Sequence, residues 1–190
     1  GKTSTKDQGL FGEDAQSALL TKLEYGTPRW QISGAVAFKD NGWTDSYFTT
    51  AKGKTRASGS SETAVGLRAY WKPETTGAIP AVQLGYDTSS IDDNGTGNPD
   101  EASGWMVGLG WDDLLIDGNR GGFAVGSRIS ATSFEGTGTD TLDDNSVWEA
   151  YYSFKVNDGV TITPAIFGGS DVEVAGKDIT GAVVLTEFRF

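Results

Sequence analysis

The fold class is decided by one stretch of the chain, which reads Trp148-Glu149-Ala150-Tyr151-Tyr152-Ser153-Phe154-Lys155-Val156-Asn157-Asp158-Gly159-Val160-Thr161-Ile162-Thr163-Pro164. From 148 to 156 the even positions are apolar or aromatic, and the positions between them are mostly polar. This alternation predicts a β-strand with one apolar face and one polar face. Residues 157–159 predict a short turn, so the stretch indicates an antiparallel hairpin that continues from residue 160.

The same two-residue alternation recurs along nearly the whole chain, and helical periodicity is almost absent. Counting weaker segments, the pattern predicts about nine strands of roughly 8 to 12 residues. They fall at 17–25, 30–39, 62–72, 79–87, 105–111, 123–131, 148–156, 160–168 and 184–190. The sequence therefore predicts an all-β protein with long strands.

The predicted connections alternate between short turns and longer polar loops. Short connections are expected at 26–28, 73–78, 112–120 and 157–159, long ones at 40–61, 88–103 and 132–145, and one of medium length at 168–178. Up-and-down outer-membrane barrels show this pattern, with short turns on the periplasmic side and longer loops outside. We therefore expect an antiparallel up-and-down transmembrane β-barrel.

Aromatic residues fall near both predicted ends of the strands, in two belts whose separation approaches the ~25 Å apolar band of a barrel. Amphipathic rings favour the level of the lipid headgroups. The periplasmic belt contains Tyr25, Trp30, Trp71, Trp111, Phe123, Phe154, Phe188 and Phe190, and the outer belt contains Phe38, Tyr86, Trp105 and Trp148. As membrane-interface residues we select Trp30, Trp71, Trp105, Trp111, Trp148 and Phe154.

Composition excludes several classes of function. The 190 residues include no Cys and no His, which removes the usual zinc ligands, thiol catalysis and imidazole-dependent triads. A net charge of −11 argues against nucleic-acid binding, which needs a concentrated basic surface. The paired carboxylates Glu13-Asp14 and Asp112-Asp113 are adjacent and do not face each other across a cleft. We expect no catalytic residues, no metal site, no cofactor and no enzymatic activity.

The last predicted strand ends in Glu187-Phe188-Arg189-Phe190. A terminal Phe on an alternating strand resembles the assembly signal of outer-membrane barrels. Phe188 and Phe190 are therefore expected to engage the barrel-assembly machinery.

Three stretches carry a family resemblance: 9–14, 23–25 and, most specifically, the 148–164 hairpin. They resemble the C-terminal part of cyanobacterial outer-membrane porins of the carbohydrate-selective and iron-uptake superfamily. The resemblance implies an outer-membrane location, with the lipid bilayer and lipopolysaccharide as partners. Family members are longer, with an upstream surface-layer-homology domain and more strands. Residues 1–190 are accordingly interpreted as the C-terminal portion of a single barrel domain, whose odd strand number prevents closure alone.

The predicted function is passive diffusion of small hydrophilic solutes, either sugars or inorganic ions, through a water-filled channel. The inward-facing positions carry more basic than acidic side chains, which assigns most of the negative charge to loops and turns. The candidate pore-lining residues are Lys22, Arg29, Arg68, Arg128, Glu149, Tyr70 and Tyr151. Porins of this size class are often trimeric, so a homotrimer is one expected assembly.

Two alternatives stay open at the level of sequence. The aromatic residues could instead fill the interior of a soluble, secreted all-β carbohydrate-binding module. The acidic clusters at 92–93 with 100–101, and at 140 with 143–144, could bind divalent ions that bridge to lipopolysaccharide. Solvated loops are the favoured interpretation of those clusters, because they lack the ordered spacing of a calcium-binding loop.

Overall fold

A computed structural model describes residues 15–44, 49–50, 53–136, 145–170 and 177–189. Ten strands form in this part of the chain, and no helix there is long and apolar enough to cross a membrane. The strands are β1 (Ser17–Thr27), β2 (Trp30–Asp40), β3 (Ser61–Trp71), β4 (Ala81–Asp92), β5 (Pro99–Asp112), β6 (Arg120–Gly126), β7 (Ser130–Phe134), β8 (Ser146–Asn157), β9 (Val160–Ser170) and β10 (Ile179–Phe188).

All ten strands belong to one antiparallel sheet, so the predicted all-β antiparallel class is confirmed. The order along the sheet is β1-β2-β3-β4-β5-β6-β8-β9-β10, so consecutive strands pair except that β6 pairs with β8. The short strand β7 lies off this path and pairs with the first part of β5. Sequential pairing of this kind is an up-and-down meander, which follows from the short connections between consecutive strands.

The single strand predicted over 123–131 is wrong, because the structure divides it into β6 and β7. At the break, the Trp105 backbone N–H donates to the Ser127 hydroxyl over 3.2 Å. The Ser127 N–H donates in turn to the Trp105 carbonyl over 2.9 Å. A side-chain oxygen therefore replaces a backbone acceptor at this point of the ladder, and the regular pairing of β6 ends there.

The long loop predicted over 88–103 is also wrong, so strict short-long alternation does not hold. Strand β4 continues to Asp92 and β5 begins at Pro99, which leaves only 93–98 as the connection. Residues 88–90 pair in register with 101–103. Their polar composition resembles a loop, but cross-strand hydrogen bonding does not require apolar side chains.

The register separates the side chains into two faces with different chemistry. We call the first the apolar face; its members include Leu19, Leu23, Tyr25, Ile32, Leu67, Leu84, Trp105, Ile166 and Val184. We call the other the polar face; its members include Lys22, Glu24, Gln31, Lys39, Glu62, Arg68, Gln83, Asp87, Glu149 and Lys155. Side chains on the apolar face are widely exposed, Leu23 to 77% and Val184 to 65%.

The sheet is open. Strands β1 and β10 are its two edges, and they do not pair with each other. Nine strands lie on the antiparallel path, so β1 and β10 run in the same direction. An antiparallel closure would therefore need an odd number of further strands between them.

Hydrogen bonds link neighbouring turns at one end of the sheet, which we call the turn end: 28–29, 72–80, 113–119 and 158–159. The Lys72 N–H donates to the Arg29 carbonyl over 2.7 Å, and the Gly77 N–H donates to the Asp112 carbonyl over 2.8 Å. The Lys155 N–H donates to Asn119 Oδ1 over 2.9 Å. These bonds run across the sheet from turn to turn, so the turn end is a connected rim.

Within this rim, the Asp113 carboxylate accepts a 2.7 Å hydrogen bond from the Gly118 N–H. That bond is the main cause that lowers the pKa of Asp113 below its ordinary value of 3.8, with a further contribution from Thr76. A lowered pKa in the folded state means that the carboxylate stabilises the turn above about pH 4 and that this contribution is lost on acidification.

We predict that Asp113→Asn lowers the thermal midpoint at pH 7 and flattens its decline between pH 5 and pH 3, because the amide oxygen is a weaker acceptor. The measurement is the thermal midpoint by circular dichroism across that pH range. Asp117→Asn, in the same exposed turn, is the matched control. An equal effect of the two substitutions would contradict a specific role for Asp113.

Candidate functional site

A groove of about 470 Å³ runs along the polar face and combines sheet residues with residues of the long β2–β3 connection. From the sheet come charged side chains that include Lys22, Lys39, Glu62, Arg68 and Asp87. From the connection come Trp43, Thr44, Thr49 and Arg56. The groove is therefore a polar surface with one loop folded over it.

In the sheet part of the groove, Arg68 of β3 and Asp87 of β4 form an ion pair. Arg68 Nη2 lies 2.8 and 3.0 Å from the two carboxylate oxygens. Arg68 Nη1 also donates to the carbonyls of Leu67 and Tyr86. About half of the Arg68 side chain and a third of the Asp87 side chain stay exposed to the groove. The ion pair therefore presents both charges to any solute in the groove.

Two glycines make room for this diagonal pair. Gly85 lies opposite Arg68 in the register, and Gly66 lies opposite Asp87. A Cβ atom at Gly85 would lie 3.2 Å from Arg68 Cδ, and one at Gly66 would lie 2.9 Å from an Asp87 oxygen. Because neither glycine has a side chain, the guanidinium lies flat across β4 and reaches the carboxylate.

A second charged cluster joins the loop to the sheet. Glu62 of β3 accepts a 2.9 Å bond from Lys39 of β2 and another of 2.9 Å from Arg56 of the loop. The side chains of Arg56 and Glu62 are 4% and 5% exposed. Arg56 also donates to the carbonyls of Gly53 and Thr55. One carboxylate thus neutralises part of the charge of two cations.

The loop is attached a second time, at the break between β6 and β7. Thr49 forms a parallel bridge with Ile129, and the Thr50 N–H donates to the Ile129 carbonyl over 2.8 Å. The Arg128 guanidinium donates to the Thr49 carbonyl. Ile129 lies directly over Gly104, which the register places on the polar face. The loop therefore crosses the polar face from β3 to β7.

Asn94 fixes the loop from the side of the β4–β5 connection. Its amide oxygen accepts from the Ala57 N–H over 2.6 Å, and its amide nitrogen donates to the carbonyls of Thr55 and Pro99 over 3.0 and 2.7 Å. The residue is fully buried. The segment 53–60 is thus held by a side chain as well as by the Arg56–Glu62 pair, so its position over the groove is well defined.

The structure places five of the candidate pore-lining residues on the polar face: Lys22, Arg68, Tyr70, Glu149 and Tyr151. Lys22 pairs with Glu24, and Tyr151 lies flat over Gly122 of β6. Glu149 and Tyr151 on β8 lie several strands away from Lys22 and Arg68. The polar face therefore collects these residues without bringing them into one contact cluster.

The other two candidate pore-lining residues lie between strands. Arg29 is in the β1–β2 turn and pairs with Glu74 of the next turn, at the turn end. Arg128 lies between β6 and β7, and its N–H donates to Asn145 Oδ1 over 2.7 Å. The alternation of the strands does not extend to these two residues. Arg29 lies in the turn before β2, and the break at Ser127 ends the strand pattern before Arg128.

The selected interface aromatics all lie on the apolar face. Trp30 and Trp71 are opposite each other in the register, and so are Tyr86 and Trp105. Tyr25 and Trp30 form an edge-to-face pair with ring centroids 5.7 Å apart. The remaining selected members of this face are Trp111, Trp148 and Phe154.

Of the two residues of the expected assembly signal, the structure describes one. Phe188 is 59% exposed on the apolar face of β10, opposite Val160. Phe190 lies outside the described residues. The acidic residues 140, 143 and 144 and the pair Glu13-Asp14 also lie outside them. Within the described part of the chain, no group of three or more carboxylates is placed to hold a metal ion.

Sequence reasoning missed Trp43, Arg56 and Asn94, which shape the groove. Each lies in a segment rich in Gly, Ser, Thr and Asp, where no alternation marks a residue as buried or facing inward. The charge of Arg56 does not single it out either, because Lys52 and Lys54 lie in the same polar loop.

Comparisons with known proteins identify no relative. No family description matches the chain, and neither the curated proteins nor the solved structures include a match.

We predict that Glu62→Gln destabilises the protein by about 3–5 kcal/mol, because it leaves two largely buried cations without a counter-charge. Asp87→Asn is the matched control and should cost about 0–1 kcal/mol, since its ion pair is partly exposed. Both values come from urea unfolding followed by tryptophan fluorescence. Adding Arg56→Met to Glu62→Gln should recover part of the loss. Equal effects of the two single substitutions would contradict the buried-cluster interpretation.

Proposed function

We propose that this chain forms part of the wall of a water-filled outer-membrane channel that passes small hydrophilic solutes by diffusion. The observation that carries the proposal is the uncovered apolar face of a single long-stranded sheet. Many of its large side chains are widely exposed, among them Leu19 (66%), Leu23 (77%) and Val184 (65%). Lipid is the solvent that tolerates such a surface, and hydrogen-bonded strands satisfy the backbone within it.

The competing proposal, a secreted carbohydrate-binding β-sandwich, requires a second sheet over the apolar face. Every strand in the described part of the chain belongs to the same sheet. In that part Leu23, Leu67 and Val184 stay 77%, 52% and 65% exposed, so the observation favours lipid over a protein core.

The proposal also includes closure of the open sheet into a barrel. The edges β1 and β10 would be paired by an odd number of further strands, because they run in the same direction. The resemblance to cyanobacterial porins agrees with this, since those proteins have more strands. The lipid bilayer, lipopolysaccharide, the barrel-assembly machinery and a homotrimer belong to the same proposal, which includes no catalytic step.

In this proposal the polar face lines the aqueous path, and residues 49–50 and 53–60 narrow it. The charged side chains that line the groove in the described residues are four cations and two carboxylates: Lys22, Lys39, Arg56, Arg68, Glu62 and Asp87. A small excess of positive charge favours anions, and the partly exposed Arg68 guanidinium offers donors to sugar or carboxylate oxygens. Trp43 adds an aromatic surface on which a sugar ring can stack.

The first experiment tests membrane integration. Membranes containing the full chain are washed with alkaline carbonate and solubilised in detergent, and gel migration is compared before and after boiling. We expect retention in the outer-membrane fraction and heat-modifiable mobility, as for stable β-barrels. Release by carbonate, or recovery in the soluble fraction, would contradict the proposal and favour the secreted module.

We predict that Arg68→Gln shifts the anion-to-cation permeability ratio toward cations by roughly twofold, because Asp87 loses its counter-charge in the groove. The ratio is measured from reversal potentials in planar bilayers under a salt gradient. Arg120→Gln is the matched control, because its ion pair with Asp112 lies at the turn end of the sheet. A larger shift from Arg120→Gln would place the selective region at the turn end instead.

A further inference from the structure

The turn 113–119 between β5 and β6 carries two apolar side chains at its tip. Leu115 is 88% exposed, the highest value among the large exposed hydrophobic side chains, and Ile116 is 61% exposed. A connection that simply reversed the chain in water would place polar residues or glycine there. The tip therefore has a surface that its role as a connection does not explain.

The backbone at the tip is strained. Leu115 has a φ of 66°, in the left-handed region that glycine or asparagine adopts at a lower cost than leucine. Such a conformation persists only where the surrounding structure determines it. The turn keeps a leucine at a position where a smaller residue would be easier to accommodate.

Hydrogen bonds to the half-buried Tyr152 and to the buried Asn119 hold the turn in this shape. The Tyr152 hydroxyl donates to the Leu114 carbonyl over 2.7 Å, and Asn119, which is 3% exposed, donates to that hydroxyl over 3.1 Å. The Asn119 carbonyl accepts from the Leu114 N–H over 3.2 Å. These hydrogen bonds therefore hold Leu115 and Ile116 in a defined position at the end of the sheet.

The turn leans toward the apolar face. Leu114 Cδ2 lies only 2.5 Å from where a Cβ of Gly121 would stand, and the register puts Gly121 on the apolar face between Trp111 and Tyr152. The Trp111 indole N–H donates to the Ala78 carbonyl of the adjacent turn over 3.2 Å. Leu114 therefore extends the apolar face past Trp111 and into the turn that ends in Leu115 and Ile116.

We propose that the Leu115–Ile116 tip inserts into the interfacial layer of the lipid bilayer at the turn end of the sheet. This inference rests on the proposed membrane function. Lipid is the occupant because the tip continues the apolar face next to Trp111, at the level where tryptophan meets headgroups. Asp117 and the Asp112–Arg120 ion pair flank the tip and give the turn a polar side that stays in water.

The absence of cysteine from the chain allows a site-specific test. Leu115→Cys, Asp117→Cys and Leu67→Cys are each labelled with an environment-sensitive fluorophore, and the full chain is reconstituted into phosphatidylcholine vesicles. One vesicle preparation carries bromine on the acyl chains close to the headgroup, and a second carries bromine near the ends of the acyl chains. Asp117 is the matched control in the same turn, and Leu67, in the middle of the apolar face, reports whether the sheet lies in the bilayer.

We expect quenching at 67 by the deep bromine and at 115 by the bromine near the headgroup, with the value at 115 about twofold or more above that at 117. Quenching at 67 with equal, weak quenching at 115 and 117 would overturn the inference and leave the channel proposal intact. No quenching at any position would overturn both. Leu115→Gly, which removes the side chain and relieves the strained φ, should leave the thermal midpoint unchanged or higher while reducing carbonate-resistant retention.

Discussion

The antiparallel hydrogen-bond ladder that runs from β1 to β10 is the constraint on which the rest of the structure depends. Because side chains alternate between the two faces of every strand, one register sorts most large apolar side chains onto one side and most charges onto the other, with Leu20 and Leu185 as exceptions on the polar face. A slip of one residue in β3 would move Arg68 to the apolar face and Leu67 to the polar face. The two surfaces, with lipid proposed on one side and water on the other, exist only because the register is continuous.

That continuity is interrupted where the polar face acquires its loop. The Ser127 hydroxyl takes over a ladder position from the backbone, β6 ends, and Ile129 moves over Gly104. The carbonyl of Ile129 then accepts a hydrogen bond from Thr50, so a local defect in the sheet becomes an attachment point for the connection between β2 and β3. The buried Arg56–Glu62 pair and Asn94 complete the attachment. A regular strand would have offered none of these contacts on its face.

The two ends of the sheet differ in how they hold their connections. At the turn end, short connections bond to each other along the rim, through backbone groups and short side chains such as Asp113 and Asn119. At the opposite end, one long connection folds back and is fixed by buried charge. A sheet with one hydrogen-bonded rim and one end covered by a loop is compatible with the proposed passive channel, because diffusion requires no moving part.

The residue pattern alone determined the class, the approximate strand positions and the two faces, because two-residue alternation is a local property and needs no knowledge of partners. It located Lys22, Arg68 and Tyr70 on the polar face for the same reason. It misjudged the 88–103 segment and the 123–131 strand, since polar composition was taken for a loop and a side chain entering the ladder leaves no periodic mark. Only the tertiary structure decided which loop crosses the groove, that Arg56 and Asn94 are buried, and that Leu114 extends the apolar face. Those outcomes depend on contacts between residues far apart in the chain, whose free energy is set by burial and geometry that no single segment encodes.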